Sequence, residues 1–404
     1  MLAHVAKSNS PITAPTYPLM ISKNILVAAL ALPLTGTAFA GSPLLPLNDD
    51  GSAAVFFVAD ATAAFNDNIF YQKDKTDDVI FTVAPGFELV AGGEGNTKFN
   101  LVFKEALSAY VDNNQLNSQL ANLDATLAYD AGGATKVAVT GGFHQTAQPN
   151  NQIAIAGDIV TTDTFYAGAD AQYKATDKSK ITFGGRYSGV RYTAYEQLFN
   201  DTDSFSVPAS WLYAVTDKLD AGLSYRYTYT DISANSLGFN GGDQQVHFVG
   251  LTANGDVTPK LNVAASAGVG YSELTRDDGN DRDDTTFNFS LTGTYAATEK
   301  TTLSLTGARE FSVGAQGQQV TTTRGIFGVN YAIDEQWSAN ANAGYTVQDF
   351  APGEDRILTA GCGVAYTPNK FWKFGANYSY MNDDSNRVAD FDNHIVSITA
   401  SLKY

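Results

Sequence analysis

A short polar turn that ends in Lys returns along this chain about every forty residues, and the stretches between copies alternate apolar and polar residues. The clearest copies are Tyr173 to Lys178, Tyr213 to Lys218, Gly255 to Lys260 and Tyr295 to Lys300. Tyr129 to Lys136, Tyr331 to Gln336 and Tyr366 to Lys370 vary the theme, and Gly92 to Lys98 is an earlier, weaker copy. After Lys260, Leu261, Val263, Ala265, Ala267, Val269 and Tyr271 alternate with smaller or polar residues such as Asn262, Ser266 and Gly270. The acidic segment Arg276 to Asp284 follows, and Phe287, Phe289, Leu291 and Tyr295 then alternate with Asn288, Ser290 and Thr294. Alternation with period two marks strands, because successive side chains leave opposite faces. Each repeat is therefore one hairpin, with a short turn at one end and a longer, often acidic loop at the other.

The runs are about ten to thirteen residues long. Soluble strands usually have about five or six residues, whereas a tilted membrane-crossing strand needs about nine to eleven. No apolar run after residue 40 approaches the ~20 residues of a membrane helix; Ala53 to Ala59 is strand-sized. Only helices and closed barrels satisfy every backbone group inside lipid. The fold expected is thus all-β, a transmembrane antiparallel up-and-down barrel with short periplasmic turns and long acidic extracellular loops. Eight short turns, with both chain ends on their side, give eighteen strands; sixteen is the runner-up, because the first hairpin and the region of Asn254 are less regular.

The start of the chain reads as a targeting segment. Lys23, the apolar run Ile25 to Leu32 and the small residues Thr37 to Ala40 have the order of a secretory signal, with cleavage after Ala40. The expected division is 1–19 as an extension upstream of the true start at Met20, 20–40 as signal peptide, 41–50 as a periplasmic leader and 51–404 as barrel. A single cysteine, Cys362, excludes an intramolecular disulfide framework. The chain carries −17, and removing residues 1–40 with Lys7 and Lys23 leaves −19, which argues against nucleic acid as a partner.

Alternation also assigns the faces. On residues 219–229, Leu219, Leu223, Tyr225, Tyr227 and Tyr229 oppose Asp220, Ser224, Arg226 and Thr228. An eighteen-strand barrel is too wide for side chains to fill, so the consistent solution puts the apolar set towards lipid and the polar set towards water inside. Inward candidates that would line a pore are Asp60, Glu88, Lys104, Asp124, Asp170, Arg186, Asp220, Arg226, Glu310 and Arg324. A charged lining selects solutes by sign, and structural pairing across strands is the equally weighted alternative for each residue. Tyr129, Tyr173, Tyr213, Tyr295, Tyr331 and Tyr366 each precede a short turn, and Tyr404 ends the chain at the same level. They are expected to form a membrane-interface girdle.

The final run Ile398, Ala400, Leu402 and Tyr404 alternates up to a terminal aromatic. It resembles the C-terminal assembly signal of bacterial outer-membrane barrels. The chain as a whole is similar to porin-like barrels of Gram-negative bacteria, most of all the Putative beta-barrel porin (outer membrane beta-barrel protein) family. The resemblance implies export to the cell outer membrane and recognition of the last strand by the barrel-assembly machinery. It also implies contact with outer-membrane lipid and lipopolysaccharide; a homo-oligomer is left open.

Nothing in the sequence sets out catalysis. His144, His247 and His394 stand singly near strand ends, and His4 precedes the signal. No spacing selects a nucleophile with a base, or a set of metal ligands, so neither an enzyme nor a cofactor or metal is expected. The acidic segments Asp74 to Asp78, Asp277 to Asp284 and Asn382 to Asn386 match no Ca²⁺-loop spacing and read as solvated loops, with divalent ions or lipopolysaccharide phosphates as the other option. The leading function is passive diffusion of small hydrophilic solutes or ions. The alternatives are an exit channel for an exported polysaccharide and a non-conducting structural or adhesive barrel.

Overall fold

The computed structural model describes residues 42–49, 51–153, 155, 157–235, 241–350 and 352–404. The expected signal peptide and upstream extension lie outside these residues. A two-residue strand, β1 (Leu45–Pro46), precedes eighteen long ones. They are β2 (Ala53–Asn66), β3 (Asp78–Ala91), β4 (Thr97–Tyr110), β5 (Ser118–Asp130), β6 (Thr135–Gln148), β7 (Val160–Thr176), β8 (Ser179–Tyr192), β9 (Thr202–Ala214) and β10 (Leu219–Ile232). The series continues with β11 (Gly242–Thr258), β12 (Leu261–Arg276), β13 (Arg282–Ala296), β14 (Thr301–Val313), β15 (Gln319–Ala332), β16 (Trp337–Asp349), β17 (Glu354–Tyr366), β18 (Trp372–Ser385) and β19 (Phe391–Lys403).

Each long strand pairs antiparallel with the next, and β19 pairs with β2 from Ile395↔Asn66 to Lys403↔Val58, so the sheet closes on itself. Phe57 and Tyr404 exchange both backbone hydrogen bonds, at 2.6 and 2.8 Å. β1 then continues the seam where β19 has run out, with Leu45 opposite Val55 and Pro46 opposite Ala54.

The repeated turn has a simple cause. Thr216 Oγ1 accepts the N–H groups of Lys218 and Leu219, and Thr258 Oγ1 those of Lys260 and Leu261. Asp334 and Asn369 do the same at their turns. A side-chain oxygen that caps the N–H two residues on closes such a turn without further support. The residue ending each turn also ties neighbouring hairpins: the carbonyls of Lys178, Lys218, Lys260 and Lys300 accept from Ala214, Asp256, Ala296 and Ala332, each at 2.8 Å.

At the other end the strands run further than the sequence suggested. They are 13 to 17 residues long, not ten to thirteen. Residues 382–385 of the acidic segment Asn382 to Asn386 belong to β18, and the segment after Arg276 shrinks to the connection 277–281. Antiparallel pairing continues into water because it satisfies the same backbone groups there, so charged residues do not end a strand.

Exposed apolar side chains circle the barrel, among them Phe183 (59 %), Leu223 (57 %), Leu251 (67 %) and Ile398 (61 %). A continuous belt of this kind would be costly in water and is what lipid requires. Register confirms one shared outer face: Leu223 stands opposite Trp211 on β9 and Leu251 on β11.

Candidate functional site

The site is the inside of the barrel, and its two halves differ. On the side of the short turns lies a cavity of about 940 Å³, lined by residues that include Lys98, Lys136, Asp170, Arg186, Arg226 and Asn254. In the loop-side half, chain folds inwards. Loop 67–77 places Ile69 and Phe70 in a buried cluster with Ala106, Tyr110, Leu116, Leu120, Ala147 and Ile159. A second cluster joins Val160, Phe199 and Ala315 from three different segments, with Ile153, Ile155, Tyr192, Tyr195 and Leu198 against it.

Described residues between β6 and β7 connect these pieces. Gln72 Nε2 donates to the Ile155 carbonyl at 3.1 Å, and Gln152 Oε1 accepts from Ala315 N at 2.9 Å. Asn151 Nδ2 reaches Asp383 Oδ2 at 3.3 Å, on β18, which β19 and β2 to β5 separate from β6 along the wall. Tyr195 Oη, in loop 193–201, donates to Asp158 Oδ2 at 2.5 Å; burial first, then that carboxylate, pushes the Tyr195 hydroxyl well above the usual phenol range, so it stays a donor.

The ten charged residues singled out from the sequence all occupy even-numbered positions on strands whose odd-numbered members are exposed and apolar, such as Phe81, Phe165, Leu223 and Leu305. Each has a partner. Lys104 Nζ meets Asp60 at 2.6 Å, Lys403 Nζ meets Glu88 at 2.8 Å, Arg186 meets Asp170 at 2.6 Å and Lys180 meets Asp220 at 2.5 Å. Asp124 accepts from Tyr166 and faces His144 Nε2 at 2.9 Å. Glu310 on β14 stands 3.8 Å from Arg226 on β10 and 3.7 Å from Arg324 on β15. β10 and β14 are separated by three strands, so this pair is made across the inside and not along the wall.

Sequence reading did not find Lys180, Lys403, His144 or Tyr166 as members of this set. The pairs Lys180 with Asp220 and Lys403 with Glu88 each pass over an intervening strand, and only register brings them together. The expectation that the histidines stand alone is corrected. His144 has the partners just named, and on the outward face Tyr225 Oη lies 2.9 Å from His247 Nδ1 while Tyr378 Oη lies 2.8 Å from His394 Nδ1. Each of these tyrosines begins a Tyr-x-Tyr set whose second ring packs on the same imidazole, Tyr227 at 5.0 Å and Tyr380 at 4.9 Å.

Of the seven tyrosines at the turn level, Tyr129, Tyr173, Tyr213, Tyr295, Tyr331 and Tyr404 are exposed. Tyr366 is half-buried because Trp337 stacks on it at 4.6 Å. Ile398, Ala400 and Leu402 share one face of β19, with Ile398 exposed. Asp67, Asp392 and His394 could bring three ligand atoms together, but Lys75 Nζ already bridges the two carboxylates at 2.8 and 2.5 Å, in the place a cation would take.

Several solved structures share a similar course of chain. OccK1 (OpdK) of Pseudomonas aeruginosa shares 9 % identity at a TM-score of 0.47, with 87 % of this chain and 99 % of that one covered. OccK11 (OpdR) of the same organism shares 13 % at 0.45, covering 91 % and 99 %, and OccAB3 of Acinetobacter baumannii 11 % at 0.45, covering 87 % and 99 %. At these identities and scores the likenesses carry no functional argument. No curated protein matches the chain. The sequence pattern that defines the Putative beta-barrel porin 2 family matches residues 51–404, and this chain, a closed eighteen-strand porin-like barrel of the outer membrane, belongs to that family.

Proposed function

We propose that the barrel is a channel for passive diffusion of small hydrophilic solutes or ions across the outer membrane. The observation that carries this reading is the closed wall with its apolar face outside and its charged face around a cavity of about 940 Å³. Such a lining offers water and solute a polar path that lipid does not. Asp60, Glu88, Lys104, Asp124, Asp170, Arg186, Asp220, Arg226, Glu310 and Arg324 are assigned to the lining of that path, with Asp170, Arg186 and Arg226 at the cavity itself, and their ion pairs present both signs to a solute. Purified protein in planar bilayers should give discrete current steps; silence at all voltages would overturn the reading.

The outer surface fits the same assignment. The tyrosines at the turn level serve as an interface girdle, and the outward run Ile398, Ala400, Leu402 and Tyr404 serves the assembly machinery. Removing Tyr404 also removes the two backbone bonds to Phe57 that close the seam. The truncated chain should reach the periplasm and yield less heat-modifiable barrel; an unchanged yield would refute this role.

A further inference from the structure

β12 and β13 pair along their whole length as far as Leu274↔Arg282. β13 and β14 do not: their pairing stops at Phe289↔Arg309, although both strands continue. β14 and β15 stay paired with each other up to Val313↔Gln319, and β15 joins β16 only from Thr321↔Asp349. Residues 310–320 are therefore a hairpin tip paired only with itself. Arg309 fills the notch this leaves in the wall, donating from Nη1 to Thr323 Oγ1 at 2.7 Å and from Nε to Thr286 Oγ1 at 3.4 Å.

The freed tip lies inside, against β10 to β12 and loop 193–201. Gln319 Oε1 accepts from Ser272 Oγ on β12 at 2.9 Å and from Gln244 Nε2 on β11 at 3.5 Å. Arg276 Nη1 donates to the Gly317 carbonyl at 3.2 Å, and Asn200 N donates to the Ala315 carbonyl at 2.9 Å. Gly317 turns the tip at φ +73°, and a Cβ there would meet Ile232 at 2.9 Å, so the approach is close.

Under Gln319 the seat is polar, while Ala315 at the far end packs with Val160 and Phe199. Gln244, Ser272, Asn288 and Gln319 are all buried. Yet both amide atoms of Asn288, and Nε2 of Gln319, find no partner among the described residues. Burying an amide without a partner costs the hydration it gave up, and that cost is recovered when the amide returns to water. At the root of the tip, Glu310 is held by two guanidinium groups at distances longer than a hydrogen bond. Leaving such a seat gives back part of the cost of burying those amides.

We propose that residues 310–320 form a movable gate, closed inwards on the polar seat of β11 to β13 and hinged where the β13–β14 pairing ends. When it swings towards the wall, Asn288 and Gln319 regain water and the loop-side half of the lumen widens on that side. The proposal rests on the channel reading. It is tested in the full chain with Cys362→Ala, Ser272→Cys and Gln319→Cys, which replace the Ser272–Gln319 contact by a disulfide, alongside a second variant lacking residues 311–319. Current is recorded in planar bilayers under oxidising and reducing conditions. Oxidation should lower open probability about tenfold, and reduction should restore it; the shortened variant should conduct steadily under both. Equal currents in the oxidised and reduced protein, with the disulfide verified by mass, would overturn the gate while leaving the channel intact. Should the disulfide not form, the shortened variant decides alone, since gating like that of the unmodified chain would overturn the gate. A silent shortened variant would overturn the channel reading and the gate with it.

Discussion

Two segments fold into the same half of the lumen, and they are seated differently. Loop 67–77 is held by an apolar cluster in which Leu116 and Leu120 are almost without exposure. Its polar groups are used: Asn68 Nδ2 donates to the carbonyls of Gln72 and Asp392, its Oδ1 accepts from Gln72 N, and Asn393 Nδ2 donates to the Asn68 carbonyl. Lys75 adds ion pairs to Asp67 and Asp392. The hairpin tip 310–320 has little apolar packing beyond Ala315, Val320 and Phe311, and its seat contains amides without partners among the described residues. The comparison teaches that burial inside a barrel has no single meaning. The same depth gives a fixed strut where apolar area and satisfied amides hold it, and a displaceable one where they do not.

The largest effect expected from breaking this contrast lies in the strut. Leu120→Ala should remove about 2–5 kcal/mol of unfolding free energy, measured by urea titration in lipid; a loss near zero would mean that loop 67–77 is not held by its apolar cluster. The seat of the tip should behave oppositely. Asn288→Leu removes a buried amide without a partner and should stabilise the barrel by about 1 kcal/mol or more, while lengthening the closed intervals in current records. Destabilisation there would show that the amide is in use. The smallest stability effect belongs to the ion pairs of Glu310 at the root of the tip. Arg226→Ser leaves Glu310 with Arg324 and should change stability by less than about 1 kcal/mol, yet it removes a cation from the lumen. Reversal potentials in a salt gradient should then move towards cation preference, and an unmoved potential would remove Arg226 from the conduction path.

The sequence carried much of this architecture because the barrel is built from local rules. Thr216, Thr258 and Asp334 close turns with their own side chains, so the turns were visible as a repeat and the strand number followed. The alternation that separates Leu223 from Arg226 is likewise local. Strand ends were less legible, because Asp383 and Asp384 look like loop residues while their backbones pair with Ile357 and Arg356. The tip was not legible at all. Gln319, Gln244, Ser272 and Asn288 sit in ordinary alternating runs, and only the loss of pairing after Arg309 brings them together. The ion pairs that cross an intervening strand were hidden for the same reason: register between hairpins leaves no mark in a single sequence.

The face assignment underlies the channel, its lining and the gate, and thiol accessibility tests it most directly. In protein with Cys362→Ala, the substitutions Leu223→Cys and Arg226→Cys are introduced singly, three positions apart on β10. A charged, membrane-impermeant thiol reagent is added on the short-turn side of a planar bilayer while current is recorded. The thiol of the Arg226→Cys variant should react and shift the current in a step, and that of the Leu223→Cys variant should stay unmodified in intact bilayers. The reverse pattern, with the thiol at position 223 modified and the one at position 226 silent and unreacted, would contradict the account, because the polar face would not then enclose the water.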